Sequence, residues 1–184
     1  MTHCIAFLRA VNVGGRLVKM DALRAAFEEL GLAEVKTFIA SGNVIFEMRA
    51  RQLGALERQL EAHLETAFGF EIDTFIRTAA ELAAAAAHAP FDAALSTGVQ
   101  TRVVGFLREP PSEAARATLA AMNSAVDHFA LNGRELYWWS RLKQSESTFS
   151  NAAFEKALRM RATFRGLNTL QRIVALRPMT SPRA

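Results

Sequence analysis

The chain has 184 residues, 51% of them hydrophobic, with 22 Lys+Arg against 18 Asp+Glu for a formal net charge of +4. That apolar fraction excludes wholesale disorder and is enough to bury a core in one medium domain or two small ones of roughly 80–90 residues. The basic excess suits anionic partners in general, but it is scattered over both halves rather than gathered into the stripe of a dedicated nucleic-acid binder.

Residues 3–10 read as a strand, with Ile5, Phe7 and Arg9 on one side and Cys4, Ala6 and Leu8 on the other. Both sides are mostly apolar, so the strand is expected to be central. The chain enters it with no basic leader, no run of about 18 apolar residues follows, and a cytoplasmic protein is expected. Cys4 is the sole cysteine, which excludes an internal disulfide, argues against cysteine-ligated zinc, and reads as a small core residue.

After Gly14-Gly15, the residues Met20, Leu23, Phe27 and Leu30 recur at helical spacing, and Gly31 stands where a left-handed C-cap belongs. Strands at 34–40 and 43–48 are joined through Ser41-Gly42. Leu53, Leu56, Leu60, Leu64 and Phe68 then mark a second helix closed by Gly69, and 71–77 reads as a fourth strand. Thr78 to Glu81 is a capping box opening an alanine-rich helix to about His88, followed by a linker over 89–100 with Pro90 and Gly98.

The order then nearly repeats. A strand at 101–107 is followed by a helix started by Pro110-Pro111-Ser112, and strands near 126–131 and 134–139 flank Asn132-Gly133, a type I′ hairpin signal. Two helices, about 150–161 and 165–177, stand where a final strand would complete the copy. The predicted fold is therefore α+β, two tandem ferredoxin-like βαββαβ plaits with the second ending in helices. The predicted divisions are 1–78, a connecting helix and linker over 79–100, 101–177, and a frayed tail at 178–184. The repeat is one of element order, without evident residue-level self-similarity, and a single mixed sheet is the alternative.

Phe7-Leu-Arg9-Ala-Val-Asn12-Val-Gly14-Gly15, Lys19-Met20, Leu30-Gly31 and Thr37-Phe-Ile-Ala-Ser41-Gly42-Asn43-Val44-Ile-Phe46 together resemble the opening signature of a bacterial family, domain of unknown function 1697. The family's C-terminal piece resembles a threonine, then an Arg-Asn-Trp-Asn-Thr run and a helix. Thr163, Arg165, Asn168 and Thr169 match it, whereas Gly166 and Leu167 depart from it. The resemblance implies paired plaits and no established activity.

Arg9, Arg16 and Lys19 bracket a Gly-Gly turn before a helix N-terminus, which offers N–H groups, a favourable dipole end and cations to a phosphate or carboxylate. The competing reading is a tight turn capped by Asn12, with Arg9 paired to a carboxylate such as Glu47. The glycine spacing fits neither a Walker A loop nor a dinucleotide fingerprint. Ser41 and Asn43 read as hairpin residues or as further ligand contacts. Arg165 and Asn168, at the start of the last helix, read as donors to a ligand or as local capping.

The expected function is binding of a small anionic ligand, a nucleotide or phosphorylated metabolite, by Arg9, Asn12, Gly14, Gly15, Lys19, Ser41, Asn43, Arg165 and Asn168. One alternative is a single-stranded nucleic-acid module, which needs Trp138 or Trp139 exposed on a basic sheet face. Another is an enzyme of unlegible reaction. The four histidines lack metal spacing and no nucleophile motif occurs, so no metal, cofactor or catalytic residue is assigned.

Overall fold

The computed structural model describes residues 1–12, 14–39, 42–49 and 52–176. The chain divides into two units, Met1–Ala83 and Ala84–Leu176. The first contains β1 (Thr2–Leu8), α1 (Met20–Glu29), β2 (Ala33–Thr37), β3 (Asn43–Met48), α2 (Leu53–Phe68) and β4 (Thr74–Thr78), with helix α3 (Ala79–Ala87) carrying the boundary. The second contains α4 (Ala93–Ser96), β5 (Thr101–Leu107), α5 (Glu113–Ala121), β6 (Asp127–Asn132), β7 (Glu135–Ser140), α6 (Asn151–Leu158), β8 (Ala162–Gly166) and α7 (Leu167–Leu176).

Each unit holds a four-stranded antiparallel sheet of βαββαβ order. The strand orders are β2-β3-β1-β4 and β6-β7-β5-β8, so the first strand of each unit is central, as the two apolar faces of β1 predict for the first. In the first unit Cys4, Ala6, Leu8, Val44, Phe46, Met48 and Ile76 form one sheet face. They are buried with Leu23 and Phe27 of α1 and Leu56, Leu60 and Leu64 of α2. In the second, Val103, Leu107, Leu136, Trp138 and Ala162 are buried with Ala115, Leu119, Phe154 and Leu158 of α5 and α6. Each such Leu or Phe removed from water contributes roughly 1.5–3 kcal/mol.

The final strand β8 corrects the sequence reading, which ended the second copy in helices and put Arg165 at a helix start. Ala162–Gly166 pairs antiparallel with β5 through Val103↔Gly166, Val104↔Arg165 and Phe106↔Thr163. Five residues flanked by helices carry too little alternation to announce a strand. Tertiary pairing decides it, because the free edge of β5 needs a partner.

The pairing registers also carry the repeat of element order down to individual residues. Cys4↔Phe46 and Cys4↔Thr78 in one unit correspond to Val103↔Trp138 and Val103↔Gly166 in the other. Aligned in this way, Thr2, Phe7, Leu8 and Arg9 match Thr101, Phe106, Leu107 and Arg108, and Arg77 matches Arg165. The two arginines share a local habit as well: each Nη1 donates to the carbonyl of the preceding residue at 2.9 Å, Ile76 and Phe164 respectively.

Both edge strands facing the helices are closed by carboxylates. Along β4, the N–H groups of Thr74, Ile76 and Thr78 donate to Glu61 (2.8 Å), Glu57 (2.7 Å) and Glu81 (2.8 Å). On β8, Ala162 N–H donates to Glu155 at 3.2 Å. These acids occupy donors that an open edge would offer to another chain.

Candidate functional site

The candidate loop leaves β1 at Leu8 and returns at α1. Arg9 is fastened to the strand before β4, its N–H donating to Asp73 O at 2.9 Å and its guanidinium standing 3.5 Å from the Asp73 carboxylate. Asp73 thus takes the place expected of Glu47, which pairs instead with His3 at 3.1 Å. Glu47 lies on β3 level with His3, near the far end of β1 from Arg9. Asn12 has positive φ (56°), and its Oδ1 accepts Val18 N–H at 2.8 Å, tying the chain after β1 to the approach to α1. Gly14 and Gly15 are exposed, with φ of 61° and 84° and open space beside their Cα atoms.

Arg16 is exposed and its guanidinium lies 5.1 Å above the Phe70 ring, so Arg9 and Arg16 both dock on the 70–73 segment. Lys19 is exposed and extended at the N-cap of α1 (φ −69°, ψ 135°), and no side chain caps the first turn of that helix. By contrast α4, α5 and α6 are capped by Asp92, Ser112 and Ser150. An uncapped first turn beside two exposed cations is chemically suited to an oxyanion.

Gly42 and Asn43 lie at the same end of the sheet as Arg9, since Phe7 pairs with Asn43 and Leu8 N–H donates to Gly42 O at 2.8 Å. Gly42 must be glycine: φ is 74°, and a Cβ would meet Leu8 Cβ at 3.0 Å. Asn43 is wholly buried and holds its hairpin, its Nδ2 donating to Phe38 O at 3.0 Å. That bond ties it to the turn. Ser41 lies outside the described residues.

Arg165 and Asn168 belong to the second unit. Arg165 is half-buried on β8, its Nη1 donating to Thr163 Oγ1 at 2.8 Å, and burial pulls its pKa down to about 10. Asn168 is exposed in the first turn of α7 and lines a cleft with Gln100, Arg102, Lys143 and Gln144. The sequence carries no signal that groups these residues, because strand pairing brings them together from three distant segments.

Cys4 is inert as a site residue, because burial first and Glu81 second push its thiol up to about 12. Among the described residues no group of three or more His, Cys, Asp or Glu is arranged to hold a metal ion, and no helix is long and apolar enough to cross a membrane.

Fold and loop together define a class: an α+β protein with two four-stranded antiparallel sheets and a glycine turn framed by cations at the end of its first strand. A family model described as "Protein of unknown function (DUF1697)" matches residues 1–137, and the chain belongs to that family. Among solved structures, the chain is similar to the conserved bacterial protein SP0830 from Streptococcus pneumoniae, at a TM-score of 0.76 and 21% identity. That alignment covers 96% of this chain and 98% of the other. The likeness shows a shared fold. No curated protein matches the sequence.

Proposed function

We propose that each unit is a ferredoxin-like plait, and that the first binds a small anionic ligand, a nucleotide or phosphorylated metabolite, at the loop running from Arg9 to Lys19. The observation that carries the reading is the uncapped first turn of α1 with Lys19 at its N-cap and exposed Arg16 held over Phe70. The roles divide accordingly. Arg16, Lys19 and the backbone of Gly14 and Gly15 contact the ligand, Arg9 positions the loop through Asp73, and Asn12 ties it to the approach to α1.

The nucleic-acid alternative has less support, since its aromatic platform is not exposed: Tyr137, Trp138 and Trp139 are all buried. Calorimetric titration with AMP and ribose 5-phosphate tests the reading. Arg16→Ala with Lys19→Ala is expected to weaken binding by about tenfold or more at unchanged melting temperature, the loss of two charge-assisted contacts. Undiminished binding in that double variant overturns the loop as the site.

A further inference from the structure

The second unit contains a cleft of about 330 Å³ lined by Gln100 and Arg102 at the start of β5, Lys143 and Gln144 after β7, and Gly166 and Asn168 where β8 passes into α7. Two cations and three carboxamides line it, with no carboxylate. A cleft elsewhere in the first unit, beside the start of β4, is lined instead by the four carboxylates Glu61, Glu65, Glu71 and Asp73, the last of them 3.5 Å from Arg9.

The wall is pinned in place. Gln100 N–H donates to Ser140 O at 2.9 Å, Gln100 Nε2 to Arg141 O at 2.7 Å, and Thr101 Oγ1 to Leu142 O at 2.8 Å. Arg102 is exposed and its guanidinium lies 4.9 Å above the Trp139 ring. Below it, the indole Nε1–H of Trp139 is buried without a hydrogen-bond acceptor among the described residues. Lys143 is exposed, its ammonium 3.8 Å from Glu146.

The pseudo-repeat supplies an internal control. In the first unit the corresponding strand-to-helix junction is sealed by the capping box. Thr78 N–H and Oγ1 donate to Glu81 Oε2 at 2.8 and 3.0 Å, and Glu81 N–H donates to Thr78 Oγ1 at 3.2 Å. In the second unit Gly166 replaces Thr78 and Thr169 replaces Glu81. Both halves of the box are gone, and the carboxylate that would repel an anion at the α7 start has gone with them.

We propose that this cleft is a second binding site, for a compact phosphorylated metabolite of about mononucleotide size. Arg102 and Lys143 would hold the phosphate near the first turn of α7, while Gln100, Gln144 and Asn168 read hydroxyl or base groups. The volume falls at the small end of ordinary ligand pockets. The inference is independent of the loop in the first unit.

Titration of the full chain with inorganic phosphate, ribose 5-phosphate and AMP tests it, with three variants compared: Arg102→Ala/Lys143→Ala, Thr169→Glu, and Arg16→Ala/Lys19→Ala. The first two are expected to weaken one binding event by about tenfold or more, which the third leaves intact. If a variant fails to fold, amide shifts in the wild-type protein replace it, and Asn168 and Thr169 N–H are expected to move on adding ribose 5-phosphate. Unmoved amides, binding insensitive to Arg102 and Lys143, or no binding by any probe at millimolar concentration overturns the site. Loss of all binding in Arg16→Ala/Lys19→Ala alone overturns it too, while sustaining the loop in the first unit.

Discussion

The two units use one strand register and differ in the charges placed around it. Cys4↔Phe46 in the first matches Val103↔Trp138 in the second, yet the first unit gathers Glu61, Glu65, Glu71 and Asp73 beside the start of β4, whereas the second gathers Arg102, Lys143 and Asn168 at the start of β5 and the end of β8. The shared part is the central strands and their apolar face, where packing density tolerates little change. The divergent part is the ends of strands and the first turns of helices, where a substitution alters charge without disturbing a core. Thr78 and Glu81 against Gly166 and Thr169 show this most directly.

The comparison is broken hardest at the matched core position. Phe46→Ala and Trp138→Ala should each cost about 3–5 kcal/mol in chemical denaturation. Trp138 gives the larger loss because its Nε1–H also donates to Asp127 at 2.9 Å. Equal losses would show that this bond carries nothing net.

The edge carboxylates come next. Glu57 is buried and accepts Ile76 N–H, so Glu57→Ala should cost about 1–3 kcal/mol by leaving that donor unsatisfied. Glu155→Ala, across the longer bond to Ala162, should cost less. Comparable losses would mean that bond length does not rank the two seals.

Alkaline titration separates the units differently. Burial pushes the Tyr137 hydroxyl up to about 12, as it does the Cys4 thiol, from ordinary values of 10.0 and 9.0. The folded chain therefore keeps protons that the unfolded chain releases, and stability, complete below about pH 9, falls as pH rises toward 12. Arg165, lowered by burial, acts in the opposite sense above about pH 10 and offsets part of the fall. Cys4→Ala should flatten the first part of this limb, between pH 9 and 10; an unchanged limb there would remove Cys4 as its cause.

Smaller effects sharpen the contrast at the helix starts. Transplanting the capping box as Gly166→Thr with Thr169→Glu should raise stability by roughly 0.5–1 kcal/mol, since Gly166 has open space at its Cβ. The same change should weaken anion binding in the second cleft by about tenfold or more. Smallest of all, Arg9→Ala should cost no more than about 1 kcal/mol, because the Arg9 side chain is 33% exposed and its 3.5 Å pair with Asp73 is screened by solvent.

What the sequence determined by itself was whatever repeats locally. The apolar periods of α1 and α2, the capping box at Thr78, the Asn132-Gly133 turn and the two apolar faces of β1 each follow from residues within one turn or one strand of each other. The loop from Arg9 to Lys19 was legible for the same reason, glycines and cations lying beside a helix start. Only the tertiary structure decided β8, the Asp73 partner of Arg9, the structural duty of Asn43 and the basic cleft around Asn168. Each of these depends on residues brought from distant positions by strand pairing: Val103 to Gly166, Arg9 to Asp73, Phe7 to Asn43, Gln100 to Arg141. Local propensity carries no record of such pairings, because their energy exists only when the sheet has formed.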